Sequence, residues 1–289
     1  MNSNLRIHLH VGPPTSGMAA LGSLLKANAA YLEEAGVGLR INPGHAGALQ
    51  SAVKSGDGPA ALFERWRLPE TLQTLIVFDD QALGSRRKPF GKHFWYGPAR
   101  PRIEQVHKYF DGYDVRTSIS TRNPAELIPA MYAQTLSEKN IIPFSEFIGT
   151  TPPHKLLWGD LIERMQLRDA YLPVLVWTYE DFPRIWRDVL GAITGVDNPQ
   201  MLEGPVPVTP QDMLLEHSED FAVRHAQAPD EAKPSWDAYL EDLPDPSNLT
   251  PHPVWTPALH EELTDIYDED LYTIARMEAV YLVRPRPLF

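Results

Sequence analysis

The chain has 289 residues, 43% of them hydrophobic, no cysteine and a formal net charge of −12. This length and composition suit one large folded unit and exclude a disordered chain. The acidic balance argues against general affinity for nucleic acid or acidic membrane surfaces, and the lack of cysteine excludes disulfides, thiolate metal sites and cysteine nucleophiles.

The first element predicted is a strand, Ile7 to Val11, with Ile7, Leu9 and Val11 on one face and His8 and His10 on the other. It runs into a turn bracketed by Gly12 and Gly17, after which apolar residues recur at helical spacing from Met18 to Ala35 and stop at Gly36. One amphipathic helix of about five turns is expected there. Further apolar runs at 74–78, 115–121 and 174–178 each end in charge: Asp79 and Asp80, then Arg122, then Glu180 and Asp181. Helical patterns around 98–110, 124–138 and 156–168 separate them, which is the rhythm of a parallel β-sheet flanked by helices on both faces.

In such a sheet ligands collect at the carboxyl ends of the strands, so the loops after Val11, Phe78, Thr121 and Thr178 should converge on one crevice. Residues 204–255 turn acidic and proline-rich and read as a lid or excursion within a single domain spanning 1–289. Helical spacing resumes over 256–277, and 279–283 reads as a last strand. The N-terminal MNSNLRIHLH lacks the apolar run of a secretion signal, and no segment approaches about 18 uninterrupted apolar residues. A soluble, cytoplasmic protein is expected, with neither nucleic acid nor membrane as partner and with no metal framework.

Four groups of residues are candidates for chemistry. The turn GPPTSG places Gly12, Thr15, Ser16 and Gly17 where backbone N–H groups and a helix N-terminus can face an anion. It matches the first half of the phosphate loop G-x-x-x-x-G-K-[ST], with Met18 and Ala19 in the last two places. The alternative is a strand–helix turn in which Gly17 only permits close packing. Arg122, at a strand end before Pro124, is placed to clamp a phosphate bidentately or to pair with Glu126. Asp79 and Asp80 are placed either to act as a general base or to cap the turn that follows. The segment 85–102 interleaves basic and aromatic residues, and Arg86, Lys88, Lys92 and Trp95 would suit an anionic or carbohydrate ligand or form a solvated loop. His8 and His10 read as strand histidines bonded to a neighbour in the sheet, and His93 and His107 as surface or packing residues.

The order and spacing of these motifs resemble the bacterial sulfotransferase family, which uses the donor 3′-phosphoadenosine-5′-phosphosulfate (PAPS). The resemblance is carried by the strand with its G-x-x-x-[ST]-G loop and by R-N-P-x-x-x-x-P-x-x-Y from Arg122 to Tyr132. FDDQALG at 78–84, WTYEDF at 177–182 and the stretch LTDIYDEDLYTIARMEAVYLVRP add to it. It implies a phosphate-loop-like sulfotransferase fold and transfer of a sulfuryl group from PAPS to a hydroxyl acceptor such as a carbohydrate, leaving 3′,5′-adenosine bisphosphate (PAP). It also implies a donor loop with Lys at position 15 and Thr at 18 and 19, where this chain has Thr15, Met18 and Ala19. The arginine of the 3′-phosphate element falls on Arg122, but the serine eight residues later is Ala130, and no arginine-x-glycine segment occupies 200–215.

The expectation is therefore a sulfotransferase-family protein with a degraded donor site and weak or absent activity. Two alternatives accompany it: an active enzyme in which Arg86, Lys88 or Lys92 supplies the missing charge, and a non-catalytic binding or scaffold protein on the same fold. A nucleotide kinase or NTPase is disfavoured, because no lysine follows Gly17.

Overall fold

The computed structural model describes residues 5–13, 15–84, 89–90, 94–137, 142–166, 173–204, 224–229, 233 and 254–285, with the side chains of 136 and 137 left aside. Arg86, Lys88, Lys92, His93 and most of the 204–255 excursion lie outside the described residues.

The strands are β1 (Arg6–Val11), β2 (Val37–Arg40), β3 (Thr74–Phe78), β4 (Asp114–Thr121), β5 (Val174–Thr178) and β6 (Val280–Val283). They form one six-stranded sheet in the order β2-β3-β1-β4-β5-β6, and every neighbouring pair is parallel. The chain is thus an α/β protein, as the alternation of patterns predicts.

Helices cover both faces. One face carries α3 (Pro43–Ser55), α4 (Pro59–Arg65), α5 (Ala99–Tyr109), α6 (Pro124–Ser137), α7 (Phe144–Ile148), α8 (Trp158–Met165) and α10 (Pro257–Ile274), packed on Ile7, Leu9, Val11, Val77 and Ile119. The other carries α1 (Met18–Ala27), α2 (Ala29–Glu34) and α9 (Phe182–Thr194), packed on Ile76, Phe78, Leu175 and Trp177. The step from β1 to β2 runs one way across the sheet, and its helices lie on the second face. The steps from β2 to β3, β3 to β4 and β4 to β5 run the other way with their helices on the first face, as a common hand of crossover requires. The chain therefore leaves β1 and β4 toward opposite faces, and a crevice opens between the ends of these two neighbouring strands.

The single helix expected over 18–35 is two helices. At the break, the Asn28 amide donates to the Leu24 carbonyl and to the Glu203 carbonyl, while its oxygen accepts from the Glu203 backbone N–H. This side chain competes with the helical ladder and fastens the break to the chain after α9. The pieces β2, α3 and α4 between Gly36 and Thr74 had no counterpart in the predicted elements; β2 is four residues long and α4 seven, too short for a clear period.

Candidate functional site

The four strand-end loops meet, as expected, and hydrogen bonds document it. The Asp79 N–H donates to the His10 carbonyl at 3.0 Å and the Tyr179 N–H to the Thr121 carbonyl at 2.8 Å. The Arg122 guanidinium crosses the crevice between β1 and β4 and donates from Nη1 to the Thr15 carbonyl at 2.9 Å.

The glycine loop is folded onto the sheet rather than raised from it. Ser16 Oγ donates to the Pro13 carbonyl at 2.8 Å and shares a hydrogen bond with Ser120 Oγ at 2.7 Å. Gly12 permits that approach, since a Cβ there would lie 3.0 Å from Ser120 Oγ. Gly17 has φ 104°, and a Cβ on it would stand 2.7 Å from Cη2 of Trp177. Thr15 takes the left-handed conformation at φ 67°, costly for a β-branched residue and held here by the bond from Arg122 to its carbonyl. Its Oγ1 is buried without a protein hydrogen-bond partner. Met18 and Ala19, in the places where the resemblance implies hydroxyls, begin α1.

Arg122 is 3% exposed. Its guanidinium carbon lies 4.5 Å from the centre of the Tyr179 ring, a cation–π contact, while its carbonyl accepts from Trp158 Nε1 at 2.9 Å. Glu126, the alternative partner weighed for Arg122, receives His260 Nε2 at 2.7 Å. Asn123 caps α6 by accepting from the Ala125 N–H, and its own N–H donates to Glu180 Oε1 at 2.7 Å. Glu180 Oε2 accepts from the Tyr267 hydroxyl at 3.0 Å, and Tyr267 also meets Thr121 Oγ1 at 3.1 Å. Much of Glu180 reaches solvent, yet protein atoms crowd its carboxyl; desolvation raises its pKa against the pull of the Asn123 N–H, the Tyr267 hydroxyl and the Arg122 charge.

Beneath the loop lies a second buried network. Ser118 sits opposite His10 in the register of β1 and β4, and its Oγ lies 2.8 Å from His10 Nδ1 and 2.8 Å from His8 Nε2. A hydroxyl with one proton between two neutral imidazoles donates to one and accepts from the other, so the two tautomers are coupled. Burial holds both imidazoles at a pKa of about 3; for His8 the positive charges of Arg116 and Arg6 add to it, and for His10 the neighbouring His8 does. The His10 ring stacks on Trp177 at 5.8 Å. The reading of these histidines as bonded within the sheet holds, and so does packing for His107, which meets Thr117 Oγ1 at 3.0 Å.

The acidic pair separates into two environments. Asp79 is 0% exposed; its Oδ2 accepts from Gln50 Nε2 and its Oδ1 from the Gln81 N–H at 3.0 Å. Oδ1 thus caps the turn after β3 while Oδ2 ties that turn to α3 through Gln50, and burial raises the pKa of the carboxyl. Asp80 beside it is half-buried. Trp95 is 0% exposed and stacks on Trp158 with ring centres 5.3 Å apart; its faces serve packing at this position. Among the described residues no group of three His, Cys, Asp or Glu side chains is arranged to hold a metal ion, and no helix is long and apolar enough to cross a membrane.

The structure thus brings together Gly12, Thr15, Ser16, Gly17 and Arg122, with Asp79 one strand away. It adds Asn123, Tyr179, Glu180 and Tyr267, to which the sequence reading gave no individual role. Tyr179 and Glu180 carried a signal, lying just beyond a strand end; Tyr267, 146 residues from Thr121, lies in the LTDIYDEDLY stretch of the resemblance, but nothing in its spacing pointed to this crevice.

No family model matches the chain, and no curated protein matches it. Among solved structures, the crystal structure of mouse sulfotransferase SULT7A1 complexed with PAP is similar to 94% of this chain over 86% of its own, with a TM-score of 0.41 and 14% sequence identity.

Proposed function

We propose that this chain is a sulfotransferase-family protein whose fold and crevice persist while its donor site is too altered for effective turnover. Transfer of a sulfuryl group from PAPS to a hydroxyl, such as that of a carbohydrate, is the reaction from which it descends. The observation that carries the reading is the commitment of Arg122. Its buried guanidinium, the group that the motif assigns to the 3′-phosphate, closes on the Thr15 carbonyl and the Tyr179 ring.

The donor implied by the motifs does not fit the described residues. The loop offers no side-chain cation of its own, Ser16 is spent on Pro13 and Ser120, and Met18 and Ala19 supply no hydroxyl. Preorganised donors of this kind are each worth on the order of 3 kcal/mol to group transfer, and a site built without them loses rate by orders of magnitude. Asp79, with both carboxylate oxygens engaged, suits a turn cap better than a base, which leaves Asp80 as the carboxylate for the acceptor side.

Titration calorimetry with PAP tests the reading. The unaltered chain should show no saturable binding in the micromolar range, and Thr15→Lys combined with Met18→Thr and Ala19→Thr should tighten binding at least about tenfold, about 1.4 kcal/mol. Micromolar saturation by the unaltered chain would overturn the degraded-site reading and favour the active alternative.

A further inference from the structure

The polar contacts of α10 fall on one line. His260, Thr264, Tyr267 and Asp270 are spaced by four, three and three residues, a single stripe along the helix. Each is bonded to the segments around the crevice. His260 meets Glu126 at 2.7 Å in the first turn of α6. Thr264 Oγ1 accepts from the Asn123 amide at 2.9 Å. The Tyr267 hydroxyl bridges Glu180 and Thr121. Asp270 accepts from the backbone N–H groups of Trp158, at 2.6 Å, and Gly159, at 3.1 Å.

The residues on either side of Arg122 are thereby held from this one helix. Thr121 is held directly by Tyr267, and Asn123 directly by Thr264 and, through Glu180, by Tyr267 again. The Arg122 carbonyl is held through Trp158, whose own N–H ends on Asp270. With Thr121, the Arg122 carbonyl and Asn123 all held, the Arg122 side chain starts from a fixed base and meets Tyr179 and the Thr15 carbonyl.

We infer that Tyr267 is a positioning residue: through Glu180 and Thr121 it aims the Arg122 guanidinium at the glycine loop, so that α10, remote in sequence, sets whether the loop is held closed. This rests on the proposed function only in taking the loop as the site that matters. The quantity to be measured needs no nucleotide, so failure of PAP to bind and failure of this inference are separate outcomes.

Hydrogen–deuterium exchange of peptides covering Gly12 to Leu21, which α10 does not touch through any of the four bonded residues above, reads the effect. Tyr267→Phe keeps the ring and removes the hydroxyl, and loop exchange should rise about tenfold. Leu263→Ala, on the same helix, removes packing alone and should raise loop exchange no further than its loss of thermal stability accounts for. Glu180→Gln keeps an acceptor for the Asn123 N–H and a donor for the Tyr267 oxygen, whose proton then goes to Thr121; it should exchange like the unaltered chain. Glu180→Ala should behave like Tyr267→Phe, and this pair decides the matter if Tyr267→Phe does not fold. Unchanged loop exchange in both Tyr267→Phe and Glu180→Ala, or an equal rise in Leu263→Ala at matched melting temperature, would overturn the inference.

Discussion

Gly17 shows how much one residue of the loop must concede to its surroundings. Its φ of 104° suits glycine, and the Trp177 ring occupies the space where any Cβ would stand. Gly17→Ala combines backbone strain with a contact against a ring that is itself fully buried between His10 and Phe182, so neither side can yield cheaply. A loss of roughly 2–4 kcal/mol is expected, measurable as a lowered urea midpoint with unchanged slope. A loss below about 0.5 kcal/mol would mean that the loop lifts off Trp177 with little resistance. The sequence names Gly17 as special through the G-x-x-x-x-G spacing, but it does not say what fills the space. Trp177 reaches the glycine only because β5 lies two strands from β1.

At the scale of elements, α8 and α10 form a joint whose logic is electrostatic and steric at once. Asp270 accepts from the Trp158 and Gly159 N–H groups that begin α8, a helix start with no side-chain cap of its own. Gly159 has no Cβ, and one placed there would lie 2.7 Å from Asp270 Oδ1. Asp270→Ala and Gly159→Ala should thus damage the same joint from opposite sides, each by about 1–3 kcal/mol. The double variant should cost clearly less than their sum. Strict additivity in thermal unfolding would show that the two residues do not share an interaction. Periodicity makes α10 legible, with Leu263, Ile266 and Ile274 at helical spacing, and the strands are legible from their apolar runs. The break at Asn28 is not, because the reason for it is Glu203, far away in the chain. A polar residue inside a helical pattern is ordinary until its long-range partner is known.

The sheet buries polar groups, His8, His10 and Ser118 among them, and this shapes its response to pH. The convergence of four loops was readable from the rule that parallel sheets bind at their carboxyl ends. The register that puts Ser118 between His8 and His10 was not, since nothing in either segment encodes which strand lies beside which. That register has a thermodynamic signature. Both imidazoles are neutral in the folded chain with a pKa of about 3, while in the unfolded chain they take up protons near 6.5. Between these values the unfolded state binds more protons, so the folded state has its full stability above about pH 6.5 and loses it as pH falls toward 3. At pH 5 the loss is about 2 kcal/mol per imidazole. Asp79, Glu180 and Asp270, whose pKa values burial raises, work in the opposite direction, because they bind protons more readily in the folded chain. The contribution of one imidazole is isolated by comparison with His8→Gln, which leaves the carboxyl groups as they are. The difference in unfolding free energy between pH 7 and pH 5 should be about 2 kcal/mol smaller in that variant than in the unaltered chain. An identical fall in both would show that His8 charges without unfolding the sheet, and that water reaches the face of β1 beneath the glycine loop.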